Sequence, residues 1–162
     1  HVHRPMELTS LMRDLVNAGH KVHTTIQHYE ARPATAQEAD TLKITEGTLV
    51  VHIERTRFAD NEPIAVLTNL IPADIAPTMQ ELESASLYDL MRERGVTLAS
   101  ARQIIGARSA TTKEAKLLSE HRGAALLTSQ RTTYDPSGRI VECGNHIYRA
   151  SRYSFEASLF AQ

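Results

Sequence analysis

Residues 48–71 constrain the fold more than any other part of the chain. Two β-rich apolar runs, 48–59 and 64–71, flank Asp60-Asn61-Glu62-Pro63. Apolar runs of strand length joined by Asp, Asn and Pro read as an antiparallel hairpin with a slightly long loop. The signal recurs: residues 124–134 and 139–149 read as strands around Asp135-Pro136-Ser137-Gly138. Further strands are expected over residues 22–32 and 97–109, with a last one over 153–160. Short helices fit between them, at 35–39 and beyond, 86–94 with Gly95 as a stop, and 111–120. Leu8, Leu11 and Leu15 followed by Gly19 suggest another, capped by Thr9 or Ser10. No long β-helix-β alternation is present. The expectation is an α+β fold, a central antiparallel sheet flanked by short helices. With 162 residues, 41% of them hydrophobic, the chain can bury one core, and neither a linker nor an internal repeat divides it.

Composition removes several functions. Lys plus Arg total 18 against 19 for Asp plus Glu, a net charge of −1, which excludes the general basic footprint of a domain that grips DNA by itself. Cys143 is the single cysteine, so neither an intramolecular disulfide nor a cysteine-rich zinc site is possible. The eight histidines contain no H-x-x-x-H or H-E-x-x-H pair, so no metal is expected. No G-x-S-x-G, P-loop or G-x-G-x-x-G occurs, so no cofactor and no catalytic residue is assigned. No apolar run reaches membrane-spanning length and no signal peptide opens the chain, so a cytoplasmic setting is expected.

Two places stand out chemically. Alternation along the strand at 48–59 puts Leu49, Val51, Ile53, Arg55 and Arg57 on one face, the last two ~7 Å apart. Guanidiniums that close repel unless an anion answers them; spacing alone favours surface arginines paired with nearby acids and leaves an anion clamp open. On the strand at 139–149, Glu142, His146 and Tyr148 share one face and Val141, Cys143 and Ile147 the other. The first set reads as a solvated sheet face or as polar groups able to bind hydroxyls, the second as core. Ser86-Leu87-Tyr88-Asp89 has the form of a helix N-cap.

Three segments in order resemble the UTRA domain, the effector-binding half of HutC-type GntR transcription regulators. Glu54-Arg55-Thr56-Arg57-Phe58-Ala59-Asp60-Asn61-Glu62-Pro63 is similar to the family's R-x-R-x-x-D-x-x-P stretch. Ser86-Leu87-Tyr88 is similar to its "SLY" helix start. Tyr148-Arg149-Ala150-Ser151-Arg152-Tyr153-Ser154-Phe155 is similar to its closing Y-R-x-D-R-Y-x-F. His1-Val2-His3-Arg4-Pro5 also resembles the end of a winged helix-turn-helix wing. The resemblance implies residues 1–7 as the end of a wing or linker and 8–162 as the effector domain. It implies a chorismate-lyase-like fold, a small anionic effector such as a phosphorylated sugar or related acid, DNA contacted through a domain outside this chain, and a homodimer.

By the same resemblance Arg55, Arg57 and Ser86 hold the anion, Tyr88 stands beside them, and Glu142 and Tyr148 contact the rest of the ligand. Ser10 and Leu11 fall on a loop that closes over it. Two positions depart from the pattern: Leu67 stands where sugar-phosphate-sensing members often have Glu, and Ser151 where the family favours Asp. The anion end of the pocket is kept and the specificity end has changed. Two other readings stay open. One is an enzyme of the chorismate-lyase type, in which Arg55, Arg57 and Glu142 handle a small carboxylate; the other is a domain without ligand, whose arginines pair with internal acids.

Overall fold

The strands at 48–59 and 64–71 do form a hairpin, but a tighter one than the sequence suggests. The computed structural model describes residues 17–155 and 159–161. In chain order they form β1 (Val22–Pro33), α1 (Ala36–Leu42), β2 (Leu49–Ala59), β3 (Glu62–Pro72), a 3-10 turn (Ala73–Ile75), α2 (Met79–Leu82), α3 (Leu87–Glu93), β4 (Ser100–Ser109), α4 (Thr112–Leu117), β5 (Ala125–Tyr134) and β6 (Ile140–Arg149). The turn between β2 and β3 is Asp60-Asn61, both with left-handed φ (51° and 67°). That geometry follows the natural twist of a two-residue hairpin. The Lys21 N–H donates to Asp60 Oδ1 at 2.9 Å and fixes the corner. Pro63 lies within β3, where the register shifts between Arg57 and Phe58; such an irregularity tolerates the missing N–H.

All neighbouring strands are antiparallel, in the order β1-β2-β3-β6-β5-β4. This is the α+β architecture expected. The four helices have four to seven residues each, too short to persist alone. Capping boxes at Thr35/Glu38, Thr78/Glu81 and Thr111/Glu114 start three of them, and Ser86 caps α3. Burial does the rest. Leu87, Tyr88, Leu90 and Met91 of α3 pack with Leu82 on Val51, Ile53, Ile71 and Val141. On the opposite sheet face Ala39 and Leu42 of α1 cover Val50 and Cys143, while Ala115 of α4 and the adjoining Leu118 cover Val66 and Leu126. Among the described residues no helix is long and apolar enough to cross a membrane.

Three expectations change. No strand occurs in the described part of 153–160; the Tyr153 ring instead stacks on Tyr148 at 4.5 Å. Val141 does not share a face with Cys143 and Ile147. Thr133 faces Glu142 while Tyr134 faces Ile140, so Val141 is the extra residue of a bulge and turns toward α3. The third concerns the arginine pair and is taken up with the site. The segment at 1–7, the helix expected at 8–15, and Ser10 and Leu11 lie outside the described residues.

One surface cluster predicts acid behaviour. Arg108 Nη1 donates to Glu114 Oε1 at 2.6 Å, and the Thr111 N–H donates to the same oxygen at 3.0 Å. Above all the Arg108 guanidinium, with the Thr111 amide, holds the Glu114 carboxyl at about 2, down from 4.5. A depressed carboxyl contributes stability above its unfolded value, and this is lost as pH falls from 4.5 toward about 2. The pair is solvent-screened, so its contribution stays below about 1 kcal/mol. Arg108→Ala is expected to lower the melting temperature slightly at neutral pH and to flatten its decline over that acid window. Melting curves of both proteins across the window check this.

Candidate functional site

Strand alternation and register gather the site on the α3 face of the sheet. Three rows cross it. Thr24, Arg57, Ala65, Tyr148 and Leu127 form the first; Ile26, Arg55, Leu67, His146 and Ser129 the second; Ile53, Asn69, Gly144, Arg131 and Gln103 the third. Leu67 therefore lies between Arg55 and His146, and Tyr148 shares the row of Arg57.

The arginines are not surface residues. Arg55 is 3% exposed and Arg57 2%. Among the described residues neither has a carboxylate within ion-pair distance, which overturns the expectation of surface pairing. Arg55 Nη2 donates to Asn69 Oδ1 at 3.0 Å, and Arg57 Nη1 donates to Thr24 Oγ1. Arg55 Nε and Nη1 and Arg57 Nε are buried without a hydrogen-bond partner among the described residues. Burial lowers Arg55 to about 10, an effect that the charge of Glu142 partly opposes. Burial and then the neighbouring Arg55 lower Arg57 to about 9. Two buried like charges with incomplete partners are held at a cost.

Glu142 anchors the other half and is fully buried. Its Oε1 accepts from the Tyr88 hydroxyl at 2.8 Å and the Thr133 hydroxyl at 3.2 Å, and its Oε2 accepts from Asn69 Nδ2 at 3.3 Å. Burial raises the carboxyl above its ordinary range, against the Tyr88 hydrogen bond. Burial likewise pushes the Tyr88 phenol up. The Tyr88 oxygen also accepts from Arg131 Nη1 at 3.3 Å, and Arg131 Nη2 donates to Gln103 Oε1 at 2.7 Å. One polar path thus runs from Arg55 through Asn69, Glu142 and Tyr88 to Arg131. Burial, followed by Arg55, Arg131 and Arg57, pushes His146 down to about 3, so its imidazole is neutral.

Glu142, His146 and Tyr148 are all buried, so the solvated-face reading fails. Ser86 is buried at the start of α3, where its hydroxyl accepts from the Asp89 N–H at 3.3 Å. It therefore orients the helix that delivers Tyr88. Sequence reading missed Asn69, Arg131, Gln103, Thr24 and Thr133 as members of this network. Asn69 carried a signal, as a lone amide inside the apolar run at 64–71; Thr24 carried none, because its partner lies on another strand. Cys143 is buried and its thiol is raised to about 11 by burial, which suits packing and not nucleophilic attack. No cluster of three or more metal-ligating side chains occurs among the described residues. A cavity of about 610 Å³ lies on the opposite sheet face, beside α4 and floored by Thr68, Gln130 and Asn145. Arg55, Arg57 and Glu142 do not line it, whereas Ser129 and His146 of the second row reach its wall.

The fold is that of the effector domains of GntR-family regulators. The effector domain of PhnF from Mycobacterium smegmatis superposes with a TM-score of 0.88, covering 99% of this chain and 100% of that one at 23% identity. A transcriptional regulator from Streptomyces coelicolor superposes at 0.80 with 46% identity, covering 88% of this chain and 96% of that one. Residues 17–154 match the UTRA domain, and the chain belongs to that family. In sequence it is 30% identical over 150 residues to the HTH-type transcriptional repressor NagR of Bacillus subtilis, which covers 91% of this chain. The chain spans 62% of the length of that repressor and 54% of the PhnF repressor of Mycolicibacterium smegmatis.

Proposed function

We propose that this chain is the sensing domain of a bacterial transcription regulator and binds a small anionic metabolite between Arg55 and Arg57. The observation that carries the reading is the buried guanidinium pair, which among the described residues has no carboxylate at ion-pair distance and three nitrogens without an acceptor. An oxyanion supplies both the missing charge and the missing acceptors. Tyr88, Glu142 and Tyr148 read the remainder of the ligand from the same face, and Ser86 adds its hydroxyl or its helix start. Leu67, between Arg55 and His146, makes part of the floor apolar. The ligand's presence is passed to a winged helix-turn-helix domain of the same regulator. The ligand shifts the regulator by binding one domain arrangement better than the other. Two such chains form the dimer that meets a palindromic operator. Relatives named as transcriptional repressors support this over a chorismate-lyase-type enzyme.

A thermal-shift panel tests the reading. It holds sugar phosphates, free sugars, phosphonates, carboxylic acids, chorismate and inorganic phosphate. A ligand at about 100 times its dissociation constant stabilises by about 2.7 kcal/mol, a shift of several degrees. A shift from an anionic compound that vanishes in Arg57→Met supports the site. A flat response to every anion sinks it.

A further inference from the structure

His146 stands on β6 in the middle of the cationic face. In register it meets Leu67 on β3, which in turn meets Arg55, and it meets Ser129 on β5. It is 8% exposed. The ring leans over Gly144: a Cβ there would lie 2.6 Å from His146 Nε2 and 2.9 Å from Glu142 Oε2. Glycine is therefore what allows the imidazole and the carboxylate to share this part of the floor. His146 Nδ1 is buried and makes no hydrogen bond of normal geometry among the described residues, although the Asn145 backbone lies close enough to the ring to raise its proton affinity slightly. Arg55 Nε, Arg55 Nη1 and Arg57 Nε on the same face are also buried without a partner among those residues. Buried polar atoms without partners are rare enough that four on one face call for a common answer. Three of the four are N–H donors, and a neutral imidazole nitrogen is able to donate as well. A group that only accepts, and in several directions at once, satisfies them together.

We propose that His146 is a direct ligand of the bound anion, donating from Nδ1 to the oxyanion that Arg55 and Arg57 hold. The inference rests on the anion site proposed above and adds to it a third contact, an imidazole that takes up a proton as the anion binds. The groups facing His146 are Arg55 and Arg57 from β2, Arg131 from β5, and Glu142 and Tyr148 from β6. Burial and three guanidiniums keep the ring neutral within the fold. An oxyanion offsets that positive field and accepts the Nδ1 proton's hydrogen bond, so binding raises the proton affinity of the ring. A complex that holds more protons than the free protein is favoured as pH falls. Anion affinity is thus coupled to proton uptake at His146.

Sulfate is the probe, because phosphate itself titrates across the relevant range. Sulfate binding by wild type, His146→Gln and Arg57→Met is measured by calorimetry from about pH 8 down to about pH 5, the window in which histidine changes charge. Wild-type affinity is expected to rise as pH falls. His146→Gln is expected to bind about tenfold more weakly at the acid end and to lose the slope. A slope that survives in His146→Gln belongs to Glu142 and overturns the proposal while leaving the anion site standing. Sulfate binding unchanged in Arg57→Met, or absent in wild type at every pH, overturns the anion site and this proposal with it. The His146 ring resonances of the wild type give a readout that needs no variant. Movement toward imidazolium values on adding sulfate at about pH 6 supports the contact, and resonances that stay put refute it.

Discussion

Arg57→Met is expected to stabilise the ligand-free domain and to abolish anion binding, two effects of opposite sign from one substitution. Arg57 is 2% exposed, one strand alternation from Arg55, and without a carboxylate at ion-pair distance among the described residues. Burial and the Arg55 charge both oppose its ionised state. Replacing buried charge with an apolar side chain of similar length is often neutral or stabilising by about 1–4 kcal/mol. Methionine keeps an unbranched side chain of similar length in the row of Ala65 and Tyr148 and gives up the bond to Thr24. In the liganded protein the sign reverses, because truncating one partner of a buried, hydrogen-bonded charge pair costs about 2–5 kcal/mol. The measurement is a pair of melting curves, in anion-free buffer and with a saturating anion. A variant less stable than wild type in both buffers shows that Arg57 is satisfied within the fold, and the sensor reading loses its main support.

Glu142→Ala is expected to destabilise the domain by about 3–5 kcal/mol, the range for removing one partner of a buried charged network. The carboxylate accepts from Tyr88, Thr133 and Asn69, so its removal takes away the acceptor of three buried donors and leaves Tyr88 and Thr133 only their long 3.4 Å contact with each other. It also deletes the acid nearest to Arg55 along that path. Glu142→Gln is expected to cost less, since it keeps the volume and one acceptor. The pH dependence separates the two states of the carboxyl. Burial raises the folded value above the unfolded one. The protonated form is therefore favoured in the fold, and this contribution is lost as pH rises from the ordinary carboxylate range through the folded value. Glu142→Gln, which resembles the protonated acid, removes that decline. Denaturant midpoints of wild type and both variants at acid and neutral pH check the order. An alanine variant as stable as wild type would mean that the network does not hold the sheet to α3.

Much of the architecture was legible because it rests on local rules. Strand runs punctuated by Asp60-Asn61 and by Asp135-Pro136-Ser137-Gly138 identify both hairpins, and Thr or Ser three residues before Glu or Asp marks the starts at Thr35, Ser86 and Thr111, while the four-residue helix capped by Thr78 was not expected. Parity along β2 and β6 places Arg55 with Arg57, and Glu142 with His146 and Tyr148. Parity failed at Val141 because a bulge adds a residue, and nothing within one strand announces where its partner slips. The tight turn was misjudged at Pro63, because a proline that ends a strand looks the same in sequence as one that sits at an irregularity inside it.

By itself the sequence determined most element types, the two hairpins and, away from the bulge at Val141, which side chains share a strand face, since each depends on residues a few positions apart. The tertiary structure decided which face is buried, and this reversed the meaning of the arginine pair. Spacing favours solvated arginines beside acids; the sheet order β2-β3-β6-β5 with α3 above it encloses them, and their neighbours become Asn69, His146 and each other. Burial of a charge depends on what covers it, and here the cover and the facing partners come from residues 14 to more than 70 positions away.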